Sequence, residues 1–114
     1  MPYIKTETSV AISGEKEKII KEKLGKAIEC FPGKTESWLM LSFEDNSRMW
    51  FKGDASLPAA MIEVKIFGTA DKIYFDRMTK TVCDIIGDEL SIPKDRIYVK
   101  YETSTLWGWN GENF

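Results

Sequence analysis

Ile62-Glu63-Val64-Lys65-Ile66-Phe67-Gly68 is the stretch that decides the fold. Ile62, Val64 and Ile66 fall on one side of an extended chain and Glu63 and Lys65 on the other, the period-two pattern of a strand with one buried face. The pattern opens at Ala59-Ala60-Met61. Beyond Gly68 the period changes. Phe75, Met78, Val82, Ile85, Ile86 and Leu90 recur at helical spacing from near Ala70-Asp71, and Ser91-Ile92-Pro93 ends that helix. Lys94-Asp95-Arg96 then leads into a second strand, Ile97-Tyr98-Val99-Lys100-Tyr101, which completes a β-α-β unit.

About sixty residues earlier the same order occurs, a period that marks an internal duplication. Tyr3 to Val10 alternates as a strand, and Ala11 to Gly14 turns the chain. A helix follows from Glu15, with Ile20, Leu24, Ala27, Ile28 and Phe31 on its apolar face and the lysines on its solvated faces. Ser13 is its predicted N-cap, Glu15 and Glu17 suit the positive end of the helix dipole, and Pro32-Gly33 stops it. Lys34-Thr35-Glu36 enters Ser37-Trp38-Leu39-Met40-Leu41-Ser42-Phe43, an apolar run expected to be a strand buried on both faces. Glu44 to Ser47 is a turn. Arg48 to Lys52 is expected to pair back as a hairpin strand before Gly53-Asp54 breaks it, and Ala55 to Pro58 is loop.

The 114 residues form a single α+β domain, 1–114, with tandem β-α-β units making one four-stranded mixed sheet. Both helices lie on one face of that sheet. The other face is left open, and a homo-oligomer packed through the sheets is the simplest way to cover it. The Arg48–Phe51 strand and the C-terminal segment are the natural pieces to reach a neighbour. That segment, Leu106-Trp107-Gly108-Trp109-Asn110-Gly111-Glu112-Asn113-Phe114, gathers aromatics and glycines, and core plug, subunit interface and wall of an aromatic pocket all fit it.

Apolar residues at 43%, charged residues at 30% and a net charge of −2 describe an ordinary globular chain and give no basic footprint for nucleic acid. No histidine occurs, which removes Ser-His and Cys-His nucleophile pairs and most zinc sites. Neither a metal nor a cofactor is expected. The two cysteines, Cys30 and Cys83, have no CxxC spacing and fit reduced thiols in a cytoplasmic protein. No signal-peptide pattern or membrane-length apolar stretch is present.

Met1-Pro2 is where proton chemistry can enter. Aminopeptidases are expected to remove the methionine, leaving Pro2 with a free secondary amine on a rigid ring. An internal proline nitrogen is an amide and no base; a terminal one is a true amine. Ordinary α-amino groups titrate at roughly 7.7–8.0, and burial or a nearby cation lowers that toward working pH. An idle, frayed terminus is the alternative for the dipeptide taken alone.

The opening Met1-Pro2 and its strand, Gly33-Lys34, Lys65-Ile66-Phe67-Gly68, Pro93-Lys94-Asp95-Arg96-Ile97-Tyr98-Val99 and the ending Gly108-Trp109-Asn110-Gly111 through Phe114 together resemble the macrophage migration inhibitory factor family of the tautomerase superfamily. The resemblance spans the chain in order. It implies a homotrimer of β-α-β-β-α-β protomers with three active sites between subunits, and an N-terminal proline that interconverts keto and enol forms of phenylpyruvate-like aryl 2-keto acids. By it, Pro2 is the catalytic base, Lys34 contacts the substrate carboxylate, and Ile66 holds the same group through its backbone N–H. Tyr98 comes from the adjacent subunit. Trp38, Trp107, Trp109 and Phe114 match or adjoin the pocket's aromatic lining.

Two departures qualify the resemblance. Lys100 stands where many relatives carry asparagine, on the same strand face as Tyr98, where a second cation would either tighten anion binding or turn to solvent. Pro58-Ala59-Ala60-Met61 replaces the CxxC of the mammalian cytokine, so thiol-disulfide chemistry is not expected. Two rival functions remain. One is a cytokine-like ligand of a protein receptor, secreted without a signal peptide and with vestigial catalysis; the other is a different N-terminal-proline reaction on a small carboxylic acid.

Overall fold

The computed structural model describes residues 1–114. Strand β1 (Pro2–Thr8) is followed by helix α1 (Gly14–Ala27), strands β2 (Met40–Glu44) and β3 (Ala60–Phe67), helix α2 (Lys72–Leu90), strand β4 (Ile97–Ser104), and two short strands, β5 (Gly108–Trp109) and β6 (Glu112–Asn113). The main sheet has four strands in the order β2-β1-β3-β4. Strands β1/β2 and β3/β4 pair parallel and β1/β3 antiparallel, so the two β-α-β units join back to back as the duplication predicts.

Helix α1 begins where its cap chemistry places it: the Ser13 hydroxyl accepts from the Lys16 N–H at 3.1 Å, with Glu15 and Glu17 in the first turn. It tightens into a 3₁₀ turn at Ile28–Cys30, and Gly33 at φ 78° turns the chain out. Helix α2 ends at Ser91, which takes the left-handed conformation at φ 55°. Both helices bury their apolar stripes against the alternate residues of β1 and β3. The core joins Ile4, Ile62, Val64 and Ile66 to Ile20, Leu24, Met78, Val82 and Ile86. Each such side chain contributes roughly 1.5–3 kcal/mol by leaving water.

Two expectations fail, each for a physical reason. The strand expected at Ser37–Phe43 starts only at Met40, because Glu36–Trp38 forms a 3₁₀ turn closed by Leu39 N–H to the Glu36 carbonyl at 3.0 Å. It is also an edge strand and not buried on both faces: Leu41 and Phe43 are half-buried against the core, while Met40 is 68% exposed. Arg48–Lys52 makes no hairpin strand. The chain leaving β2 bonds instead to the end of β1, Asn46 N–H to Val10 O at 3.2 Å and Ser47 N–H to Thr8 O at 3.0 Å. Phe51 and Asp54 then close a tight turn of their own over Lys52 and Gly53, both at positive φ.

The open sheet face is polar across its middle. Along one row Glu63 lies between Lys5 and Lys100, and along the next Lys65 lies between Tyr3 and Glu102. Directly opposed residues share a face, so its middle is a lattice of alternating charge, with Met40 and Tyr98 at its edges. A second copy packing there would meet these charges together with the apolar edges.

No helix is long and apolar enough to cross a membrane.

Candidate active site

Pro2 is buried and opposes Ile66 in the β1/β3 ladder. This register brings the start of the chain to the end of β3. There the Phe67 N–H donates to the Met1 carbonyl at 3.0 Å. On its other side the Phe67 carbonyl accepts from Lys34 Nζ at 2.9 Å, and the ammonium also sits 5.9 Å from the centroid of the Phe67 ring. Lys34 is delivered by the turn after α1, its N–H bonded to the Phe31 carbonyl at 3.1 Å. The amine of Met1 is held below the ordinary α-amino value, chiefly by partial burial and secondly by the Lys34 charge.

Beside this start lies a cleft of roughly 740 Å³ lined by Met1, Pro2, Trp38, Met40, Trp107 and Trp109 among others. Trp38 arrives on the 3₁₀ turn before β2 and Trp109 on the C-terminal hairpin, and their rings meet edge to face with centroids 5.2 Å apart at 87°. The hairpin is fixed by Asn110-Gly111, at φ 55° and 83°, which gives the twist a two-residue β-turn requires. Of the three roles open to the C-terminal segment, Trp107 and Trp109 take the pocket wall. Phe114 does not line the cleft; its N–H bonds the Trp107 carbonyl at 3.2 Å and its ring tilts against Phe67 at 4.9 Å.

Lys34 and Ile66 border a separate hollow of roughly 310 Å³, shared with Phe31, Asp71 and Tyr74. Phe67 stands between the two spaces: its N–H bonds Met1, which lines the cleft, and its carbonyl bonds Lys34, which lines the hollow. The sequence reasoning passed over Phe67. The amide found aimed at the chain's start is Phe67's, next to the Ile66 amide expected from the resemblance. Its position at the last residue of β3, before Gly68 at φ 83°, was the available signal.

Tyr98 and Lys100 stand apart from this cluster. Tyr98 opposes Met61 and Lys100 opposes Glu63, whereas Pro2 opposes Ile66. Five and three residues of strand amount to about 17 and 10 Å, beyond the reach of a side chain to its own Pro2. Both are exposed on the open face, Tyr98 at 63%.

The family model described as Macrophage migration inhibitory factor (MIF) matches residues 1–114. The chain belongs to the MIF family. Its MIF relative from Xenopus laevis is 29% identical over 120 residues, covering 100% of this chain and 99% of the relative. Leishmania major MIF2 superposes at a TM-score of 0.92 with 32% identity, over 100% of this chain and 97% of that one. The MIF homologue of Prochlorococcus marinus superposes at 0.82, also 32% identical and covering 98% of each chain. The two helices and four-stranded mixed sheet are therefore those of MIF-like structures.

This MIF-family chain carries no cysteine at Pro58–Met61. Its two thiols, Cys30 and Cys83, are free and half-buried, and burial pushes both above the ordinary thiol value, away from nucleophilic thiolate. No cluster of three or more His, Cys, Asp or Glu side chains is placed to hold a metal ion.

Proposed function

We propose that this MIF-family protein is a keto-enol tautomerase of phenylpyruvate-like aryl 2-keto acids, with Pro2 as general base and acid once Met1 has been removed. The observation that carries the reading is a chain start that lies against the aromatic cleft and feels the charge of Lys34, held on the far side of Phe67. The amine there is already lowered by burial and by Lys34, and a flat-walled space opens beside it. Burial and the Lys34 charge would act on a proline amine left at this place in the same direction, toward the uncharged form that accepts a proton.

The chemistry follows from the residue types. The substrate carboxylate is held by Lys34, whose ammonium has three N–H bonds and spends one on the Phe67 carbonyl. The backbone amide at the end of β3, Ile66 or Phe67, donates to the same carboxylate; removal of Met1 takes away the carbonyl that the Phe67 N–H now bonds. Pro2 takes a proton from C3, negative charge moves to the C2 oxygen as the enolate forms, and the protonated proline returns the proton to that oxygen. Lys34 favours the charge that develops there. Trp38, Trp107 and Trp109 hold the aryl ring and exclude water, with Phe114 buttressing Phe67 behind them.

Tyr98 and Lys100 enter this reading only from a neighbouring copy, which is why the working unit is proposed to be a homotrimer. Tyr98 then packs on or donates to the substrate, and Lys100 adds a second cation to the anion site. Family membership by itself suits an enzyme and a protein ligand equally; the cleft at the chain's start favours the enzyme.

The test starts with mass spectrometry of purified protein, because retained Met1 leaves Pro2 an amide and removes the base. Processed protein is expected to ketonise phenylpyruvate enol and to sediment as a trimer. Pro2→Gly is expected to lose about a hundredfold or more, the span of positioned acid-base catalysis. Turnover of non-aryl acids alone, or full activity with Met1 retained, rules the assignment out.

A further inference from the structure

Arg96 is only 7% exposed, yet no carboxylate lies within ion-pair distance of it. Its guanidinium is spent on backbone carbonyls of one loop. Nε donates to Pro58 O at 2.9 Å, Nη1 to Phe51 O at 3.3 Å, and Nη2 to Asp54 O at 2.9 Å and Leu57 O at 3.0 Å. A buried cation without a contact ion pair is kept only where its hydrogen bonds are well met; the Asp54 carboxylate of the same loop feels its charge, and four carbonyls of that segment converge on it.

The same guanidinium lies 5.4 Å from the centroid of the Phe51 ring. Phe51 in turn meets the Tyr98 ring edge to face, centroids 5.2 Å apart at 81°. Arg96 precedes Tyr98 by two residues, at the very entry of β4. Tyr98, at 63% exposed, would otherwise be free to sample its rotamers; Phe51 is the aromatic neighbour that restrains it.

We propose that Arg96 is a positioning residue for Tyr98: by pinning the 51–58 loop it holds Phe51 against the Tyr98 ring and fixes that ring before substrate arrives. The catalytic consequence rests on the reading above, in which Tyr98 serves a neighbouring copy's cleft. The pinning itself does not. An arginine is required because its planar fork reaches four carbonyls at once; a lysine ammonium has three donors and no fork.

The experiment has two arms on the assembled protein. In the first, the Tyr98 ring signal is followed by NMR, assigned by its absence in Tyr98→Phe. Arg96→Lys and Phe51→Leu are each expected to move it toward the position of an unrestrained tyrosine while Tyr3, Tyr74 and Tyr101 stay in place. A Tyr98 signal unmoved in either variant overturns the proposal. Should Arg96→Lys fail to fold, wild type in mild urea decides. Joint loss of Arg96 Nε–H protection and of the Tyr98 shift before global unfolding supports the pinning, and separate loss overturns it.

In the second arm, Arg96→Lys is expected to raise KM for phenylpyruvate about three- to tenfold with kcat little changed, and to add nothing further in a Tyr98→Ala background. The same factor in both backgrounds means a general structural effect and overturns the positioning role. An inactive wild type sinks the proposed tautomerase instead, and the ring signal then decides the role of Arg96 alone.

Discussion

Lys34 and Phe67 are joined twice, through a 2.9 Å hydrogen bond from Nζ to the main-chain carbonyl and through the ammonium lying 5.9 Å from the ring centroid. The cation is thus fixed where it depresses the amine at the chain's start. Lys34→Met keeps the stem and removes the charge. Loss of a charge-assisted bond to the substrate, about 1.5–3 kcal/mol, predicts a fall in kcat/KM of about ten- to a hundredfold. The sign on pH is also set. Without the nearby cation the amine's pKa rises, so the acidic limb of the rate profile moves to higher pH. A profile measured across that limb checks both, and an unmoved limb assigns Lys34 to anchoring only.

Trp38 and Trp109 wall the cleft by their mutual contact, although each is about half exposed, at 51% and 54%. Neither belongs to the core, so removing one is expected to leave thermal stability almost unchanged. Trp109→Ala forfeits the pair, worth about 0.5–1.5 kcal/mol, and opens the wall. The expected result is a rise in KM of up to about tenfold with kcat preserved, seen in steady-state kinetics alongside an unshifted melting curve.

How much of this was legible in the sequence follows from where the information resides. The alternation at Ile62, Val64 and Ile66 and the helical spacing of Met78, Val82 and Ile86 are local, and both elements form as read, since one buried face imposes one period. The run Ser37–Phe43 misled because apolar composition does not say whether a strand is central or at an edge. That depends on partners remote in sequence, and only β1 flanks β2. Arg48–Lys52 misled for a related reason: the backbone of Asn46 and Ser47 is captured by Thr8 and Val10, far away in the chain. At the site, the resemblance named Pro2, Lys34 and Trp38, which do gather near the chain's start, but it did not separate Phe114, a buttress, from the tryptophans that face the cleft. Phe67 and Arg96 lie within the quoted motifs, but Phe67 acts through its own main chain and Arg96 on the main chain of a remote loop, so residue identity alone did not disclose their partners.

Thr6 points into the core from β1, is 0% exposed, and its hydroxyl has no hydrogen-bond partner. A buried polar atom without a partner costs about 1–3 kcal/mol relative to one that is satisfied, and valine has nearly the same shape. Thr6→Val is therefore expected to stabilise the fold by about 1 kcal/mol. Urea denaturation at constant m-value measures it, and a destabilised variant would show that the hydroxyl finds a partner after all.

Tyr101 meets the Phe75 ring edge to face with centroids 4.9 Å apart and donates to the Phe75 carbonyl at 3.2 Å, leaving Thr79, 2.7 Å away, as donor to its oxygen. Burial raises its hydroxyl from the ordinary value of 10.0 to about 12, and the Thr79 bond opposes that rise only in part. The folded state therefore favours the neutral phenol. Its contribution is fully present below about pH 10, where the phenol is neutral in both states, and is lost as pH climbs through about 12, because only the unfolded chain gains by ionising in between. The urea midpoint is expected to be insensitive to this residue from neutral pH to about 10 and to decline above that. Tyr101→Phe removes the titrating group, so its curve should run flatter through the same window even though it starts from a lower midpoint for want of the hydrogen bond. Absorbance at tyrosinate wavelengths gives the independent check: one phenol in the native protein should ionise late and together with unfolding, and that late step should be missing from the variant.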